Sequence, residues 1–136
     1  MKQYTLIDHT ADIRLHVEAS TIQELFQVAL EGMSQIIAPH TCQQQFPNHI
    51  PITITSSDTT TLLIDFLSEV LTQTTITKII FCSVTITHLT PTSITGTIHG
   101  HSVSGAHEDI KAVTYHEADV RKNDNNNYET TIVFDI

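Results

Sequence analysis

Apolar and polar positions alternate with a period of two at the start of the chain, and the period then lengthens to that of a helix. Residues 3–7 and 13–17 each alternate, so two short strands are expected there, flanking the polar connection Asp8-His9-Thr10-Ala11-Asp12. Ser20-Thr21-Ile22-Gln23-Glu24 reads as a helix start, with Ser20 as the expected N-cap and Gln23 as its partner. Ile22, Leu25, Phe26, Ala29, Leu30, Met33 and Ile37 follow at spacings of three and four. They form one apolar stripe, a core face, and Pro39 closes the helix. Residues 41–48 are polar, Gln-rich and broken by Pro47, as expected of a loop. Residues 50–54 alternate as a strand, and Pro51 places it at a sheet edge. Asp58 caps a second helix whose apolar positions are Leu62, Leu63, Phe66, Leu67, Val70 and Leu71. Asp65 and Glu69 fall on its polar side and read as a solvated face.

From Lys78 onward the period returns to two. Ile80, Cys82, Val84 and Ile86 are expected to share one face of a strand, which turns near Thr90-Pro91 into a strand bearing Ile94, Gly96 and Ile98. Residues 100–108 form a second loop. A last hairpin joins residues 110–121 to 128–136 through Asn123-Asp124-Asn125-Asn126-Asn127, a turn by composition. The element order ββαβαββββ predicts one α+β domain over residues 1–136, a mainly antiparallel sheet covered by two helices.

Composition narrows the class. The chain has 136 residues, 40% of them hydrophobic, at a mean hydropathy of −0.01. That is enough for one core, with no apolar run long enough to span a bilayer. Met1-Lys2-Gln3-Tyr4 runs straight into strand-like sequence without a signal-peptide pattern, and a cytoplasmic location is expected. Cys42 and Cys82 are far apart, and are read as a buried and a loop thiol rather than a disulfide or metal pair. Net charge is −9 with six basic residues, too few for a phosphate-binding patch. Nucleic acid is therefore engaged only indirectly, and a basic protein partner or divalent cations suit the surface better.

Candidate chemistry gathers at the two ends. Asp12 closes the first turn, Asp135 is followed only by Ile136, and strand patterning at both ends would allow them to meet. Clustered carboxylates, with the terminal carboxylate of Ile136, are hard oxygen ligands suited to Ca²⁺, Mg²⁺ or Mn²⁺. Two solvated acids are the plain alternative. The nine histidines include His99-Gly100-His101, which puts two imidazoles on one strand face. No zinc spacing accompanies them, and they read as surface residues. Neither a Gly-x-Ser-x-Gly elbow nor, with four glycines, a phosphate-cradling loop is present. These readings reach an acidic domain with a hard-metal site, and no reaction.

The chain nevertheless resembles the archease family. The resemblance lies in His9-Thr10-Ala11-Asp12-Ile13, in the helix start from Thr21 to Phe26, and in Leu62-Leu63-Ile64-Asp65-Phe66-Leu67-Ser68-Glu69-Val70-Leu71. It continues in Ile110-Lys111-Ala112-Val113-Thr114-Tyr115-His116 and ends in Phe134-Asp135-Ile136. These segments stand in the family's order across nearly the whole chain. The resemblance implies no catalytic cycle, but assistance to a GTP-dependent RNA ligase that joins 2′,3′-cyclic or 3′-phosphate ends to a 5′-hydroxyl in tRNA splicing and RNA repair. The help falls where the ligase acquires GMP with Mn²⁺ present.

Carried over by motif, the family's metal ligands fall on Asp12, Asp135 and Ile136, and its functional lysine on Lys111. His9 lies within the first motif and joins Lys111 as a candidate partner contact. Two departures stand out: the segment 102–109 looks short, and Arg14-Leu15 stands where many relatives carry glycine. Some archeases are also linked to tRNA methyltransferases as specificity or solubility factors, so a chaperone-like subunit is the alternative. A stand-alone metal-dependent hydrolase is the weakest reading, for want of a nucleophile or base.

Overall fold

The computed structural model describes residues 2–3, 12–43, 45–103 and 109–136. Strand β1 (Asp12–Ala19) leads into helix α1 (Ile22–Ile37), a 3-10 turn (Thr41–Gln43) and strand β2 (Asn48–Thr55). Helix α2 (Thr59–Thr77) is followed by β3 (Ile79–Thr90), β4 (Ser93–Ser102), β5 (Ala112–Thr114), β6 (Arg121–Lys122) and β7 (Tyr128–Asp135). The strand expected over 3–7 falls largely outside the described residues, as do Asp8 and His9.

Among the described residues all strand pairings are antiparallel, and the strands divide into two sheets. One runs β2-β4-β3, which puts Pro51 on an edge strand as its missing N–H requires. In the other, β7 is central, with β1 on one side and β5 and β6 on the other. The two helices touch both sheets, and one hydrophobic cluster runs through all the layers. At its centre Phe26 of α1 and Phe66 of α2 are wholly buried, their ring centroids 5.4 Å apart. Ile64 is wholly buried as well, so α2 is apolar well beyond the stripe its spacing predicts.

Helix α1 is capped one residue later than expected. The hydroxyl of Thr21 accepts from the Glu24 N–H at 3.1 Å, while Ser20 Oγ donates to the Glu24 carboxylate. Glu24, and not Gln23, therefore sits in the third helical position, the place that a capping-box acid takes. Asp58 caps α2 as expected, accepting from the Thr61 N–H at 2.8 Å. Lys78 ends that helix in the left-handed region, at φ 62°.

Strand β3 departs from simple alternation. Irregularities in its pairing with β4 fall between Phe81 and Ser83 and between Ile86 and His88. The first shifts the parity of the strand, so Phe81, opposite Gly100, shares a face with Val84, opposite Ile98. Cys82 falls at the irregularity itself. There it forms a disulfide with Cys42, with Cα atoms 5.5 Å apart. The expectation of two separate thiols is thus overturned, because the 3-10 turn after α1 brings Cys42 over β3. The strand expected over 110–121 is also broken. Three residues of β5 pair with β7, a turn closed by the Ala118 N–H on the Tyr115 carbonyl (3.1 Å) intervenes, and pairing resumes in β6. Glu117, in that turn, has φ 64°.

Candidate metal centre

Strands β1 and β7 run in register from Asp12 opposite Asp135 to Ala19 opposite Tyr128. Directly opposed residues project from the same face, with Cβ atoms about 4.5–5.5 Å apart. Asp12 and Asp135 therefore stand side by side at one end of the outer face of the four-stranded sheet. Asp12 is half-buried and Asp135 exposed, while Phe134 is wholly buried and Ile136 half-buried against the core. Alternation explains the division: Phe134 faces inward opposite Ile13 and Val113, and its neighbour faces out. The donor set is oxygen only. Two carboxylates on facing strands, followed by the main-chain oxygens of Ile136, fit a hard divalent cation.

Asp135 is also tied from the far side. Ala112 is its register partner on β5, and the Lys111 N–H donates to its carbonyl at 2.7 Å. Lys111 is thus joined to the site through its main chain. It also lines a shallow cleft of about 190 Å³ with Ile110 and with Leu71, Thr72, Thr75 and Ile76 of α2. No ion pair of Lys111 occurs among the described residues.

Alternation along β1 places Arg14, His16 and Glu18 on the same outer face as Asp12. Arg14 reaches back, its Nη1 3.2 Å from Asp12 Oδ2, and its Nε donates to Glu117 Oε2 at 2.7 Å. The hydrogen bond to Glu117, then the nearby charges of Asp12 and Glu117, raise the Arg14 pKa further. At the other end of the face His16 Nε2 lies 3.2 Å from Glu129 Oε2, opposite Glu18. Ligating atoms of His16, Glu18 and Glu129 all lie within 4.8 Å of one another. Side-chain amides of Asn127 and Asn123, each donating to Glu18 Oε2 at 2.9 Å, hold the Glu18 pKa below its ordinary value. The asparagine-rich turn thereby has a role beyond reversing the chain. Neither the Arg14–Glu117 bridge nor this cluster was anticipated. The signal was present in β1, where every second residue from Asp12 to Glu18 is ionisable.

One further polar group differs from expectation. Asp65 is no free member of a solvated face: it accepts from Ser56 Oγ at 2.5 Å and from the Tyr115 hydroxyl, which raises the Tyr115 pKa. His99 and His101 do share a face, since β4 runs through both. Each is engaged locally, His99 with Thr85 Oγ1 at 2.9 Å and His101 with the Thr41 carbonyl at 2.9 Å.

The profile of the archease protein family matches residues 4–136. The chain belongs to the archease family. It is 28% identical over 129 residues to the protein archease of Methanosarcina barkeri, covering 89% of this chain and 88% of that one. It is 30% identical, with the same coverage, to the protein archease of Methanosarcina acetivorans. The fold of this archease is that of a Methanobacterium thermoautotrophicum protein solved in solution, with a TM-score of 0.75 and 24% identity over 96% of each chain. It also matches the crystal structure of an archease described as a possible chaperone from Thermotoga maritima. The TM-score there is 0.68 with 18% identity, over 100% of this chain and 99% of that one. No helix among the described residues is long and apolar enough to cross a membrane.

Proposed function

We propose that this archease is a metal-binding, non-enzymatic activator of a GTP-dependent RNA ligase, acting in the cytoplasm where the ligase acquires GMP during tRNA splicing and RNA repair. The observation that carries the reading is the register pairing of Asp12 with Asp135, two oxygen donors on neighbouring strands inside the family's own motifs. Asp12 and Asp135 would hold Ca²⁺, Mn²⁺ or Mg²⁺ through carboxylate oxygens, with Ile136 adding a main-chain oxygen. The cation would supply concentrated positive charge at the end of a strongly acidic face.

The chain's own residues present the site to a partner. Phe134 anchors the end of β7, the Lys111 N–H fixes the carbonyl of Asp135, and Lys111 borders the cleft beside Ile76, which is 69% exposed. A net charge of −9 with six basic residues favours contact with the ligase over contact with its RNA.

The test is guanylylation of a matching ligase with and without Mn²⁺, comparing the wild type with Asp135→Ala at equal folded concentration. Stimulation by the wild type alone is expected. Equal stimulation by both would remove the metal from the function. It would favour a chaperone-like specificity subunit of an RNA-modifying enzyme such as a tRNA methyltransferase, for which the possible-chaperone description of the Thermotoga maritima relative speaks.

A further inference from the structure

We infer that Arg14 is a built-in counter-cation of the Asp12–Asp135 site, and that an incoming divalent cation must take Asp12 from it, leaving Arg14 on Glu117 alone. The inference rests on the metal-site reading above and adds a competitor within the chain.

Arg14 sits two residues along β1 from Asp12 on the same face, and its guanidinium spans two carboxylates: Asp12 at 3.2 Å and Glu117 at 2.7 Å. A guanidinium is always charged and presents several donors in a fixed fork, so it can bridge two acids at once. The two contacts are unequal. The Glu117 contact is a close Nε–H hydrogen bond, whereas the Asp12 contact is longer and made by one terminal nitrogen. The shorter arm is the one that remains when the longer is displaced.

Glu117 is placed for this role by the backbone. A non-glycine residue at φ 64° is uncommon and is held by its surroundings. Here the turn is braced on one side by the Ala118 N–H to the Tyr115 carbonyl, and on the other by the Tyr115 hydroxyl on Asp65 of α2. The stem of Arg14 has a seat of its own: its register partner Val133 is only 4% exposed on the outer face of the sheet. Arg14 thus has an apolar neighbour for its stem and is held at its tip by Glu117, while its hold on Asp12 is the releasable part.

Arg14 and Asp12 side chains are 52% and 27% exposed, so the ion pair is weak and solvent-screened. A divalent cation shared by two carboxylates outcompetes it. Even so, one positive charge left a few ångströms from the bound ion lowers its affinity. The Arg14 guanidinium therefore lowers the affinity of the site without closing it, and gives it two states, with and without the Arg14–Asp12 contact.

The test is calorimetric titration of the intact protein with Mn²⁺ and with Ca²⁺, for the wild type, Arg14→Met, Arg14→Lys and Asp135→Ala. Methionine keeps an apolar stem over Val133 and removes the charge. It should tighten binding about three- to tenfold, while Arg14→Lys stays near the wild type and Asp135→Ala loses binding. In the wild type, Ca²⁺ should also shift the Arg14 Nε–H resonance and that of the Glu117 amide. Equal affinity of wild type and Arg14→Met, with binding still abolished in Asp135→Ala, leaves the metal site standing and overturns the counter-cation. Absence of binding in wild type and Arg14→Met alike overturns the metal-site reading, and the inference with it.

Discussion

Asp12 and Asp135 are the end pair of an unbroken ladder, with register partners matched one for one back to Ala19 and Tyr128. Because that ladder fixes both backbones, the two carboxylates are brought together by the sheet and not by a loop. Each variant, Asp12→Ala and Asp135→Ala, should weaken divalent-ion binding at least about tenfold, since even outer-shell partners of metal ligands are worth that much. The double variant should be little worse than either, as one shared site requires. Melting temperatures should stay close to the wild type. A double variant whose loss is the sum of two independent losses would place the acids at separate sites.

Lys111 contributes a main-chain hydrogen bond that alanine retains. Lys111→Ala should therefore leave the melting temperature nearly unchanged and reduce stimulation of the ligase. Full stimulation across a range of concentrations would return Lys111 to the ordinary surface.

The disulfide between Cys42 and Cys82 closes a loop across a sequence separation of 40. Constraining the unfolded chain over that length is worth about 2–4 kcal/mol. Chemical denaturation with and without a strong reductant should show that difference, and Cys82→Ser should reproduce the reduced protein. Coincident unfolding curves would mean that the bridge adds nothing to stability.

Asp58 gives the fold a pH-sensitive element. Hydrogen bonds from the Thr61 N–H and hydroxyl lower its pKa below the ordinary 3.8. A carboxylate depressed on folding stabilises the protein fully above its unfolded pKa, and that stabilisation is lost as pH falls through the folded value. Asp58→Ala should therefore lower the melting temperature at neutral pH, by about 5 °C for a lost cap in a domain of this size. The gap should narrow as the pH is taken below the ordinary value. A gap independent of pH would assign the effect to helix propensity.

Gly100 lies opposite Phe81 beside the β3 irregularity, and a Cβ built on it would stand 1.9 Å from the Ile80 carbonyl oxygen. The obstacle is backbone and cannot rotate away. Gly100→Ala should destabilise the protein by about 1–3 kcal/mol, measured by denaturant unfolding, with cation affinity in the surviving folded protein unchanged. Wild-type stability would mean that β3 shifts freely there.

Much of this architecture is legible in the sequence because it is local. The stripe from Leu25 to Ile37 needs only helical spacing to be read, Pro51 needs only its missing N–H to be sent to an edge, and Asp58 announces its helix. The meeting of Asp12 and Asp135 was legible as strand patterning at both ends, although the pairing itself is long-range. What was not legible depends on backbone geometry that leaves no mark in residue types. The turn at Tyr115–Ala118 holds no glycine or proline, so the break between β5 and β6, and with it the Arg14–Glu117 bridge, does not show. The irregularity at Cys82 inverts a face that simple alternation assigns with the wrong parity, and nothing in the spacing of the cysteines points to their meeting.

The central place of β7 has a consequence in time. The hairpin of β3 and β4 and the two helices are built from neighbours in the sequence and can form early. The sheet carrying the acidic face instead joins opposite ends of the chain, as in the amide contact between Glu18 and Asn127, 109 residues apart. Closing so long a span is slow, because its entropy is lost before any contact rewards it. The pairing of β1 with β7 should therefore be among the last steps of folding. The cation affinity proposed for Asp12 and Asp135, which needs them side by side, would then be a property that only the finished molecule has, and a kinetic marker of its completion.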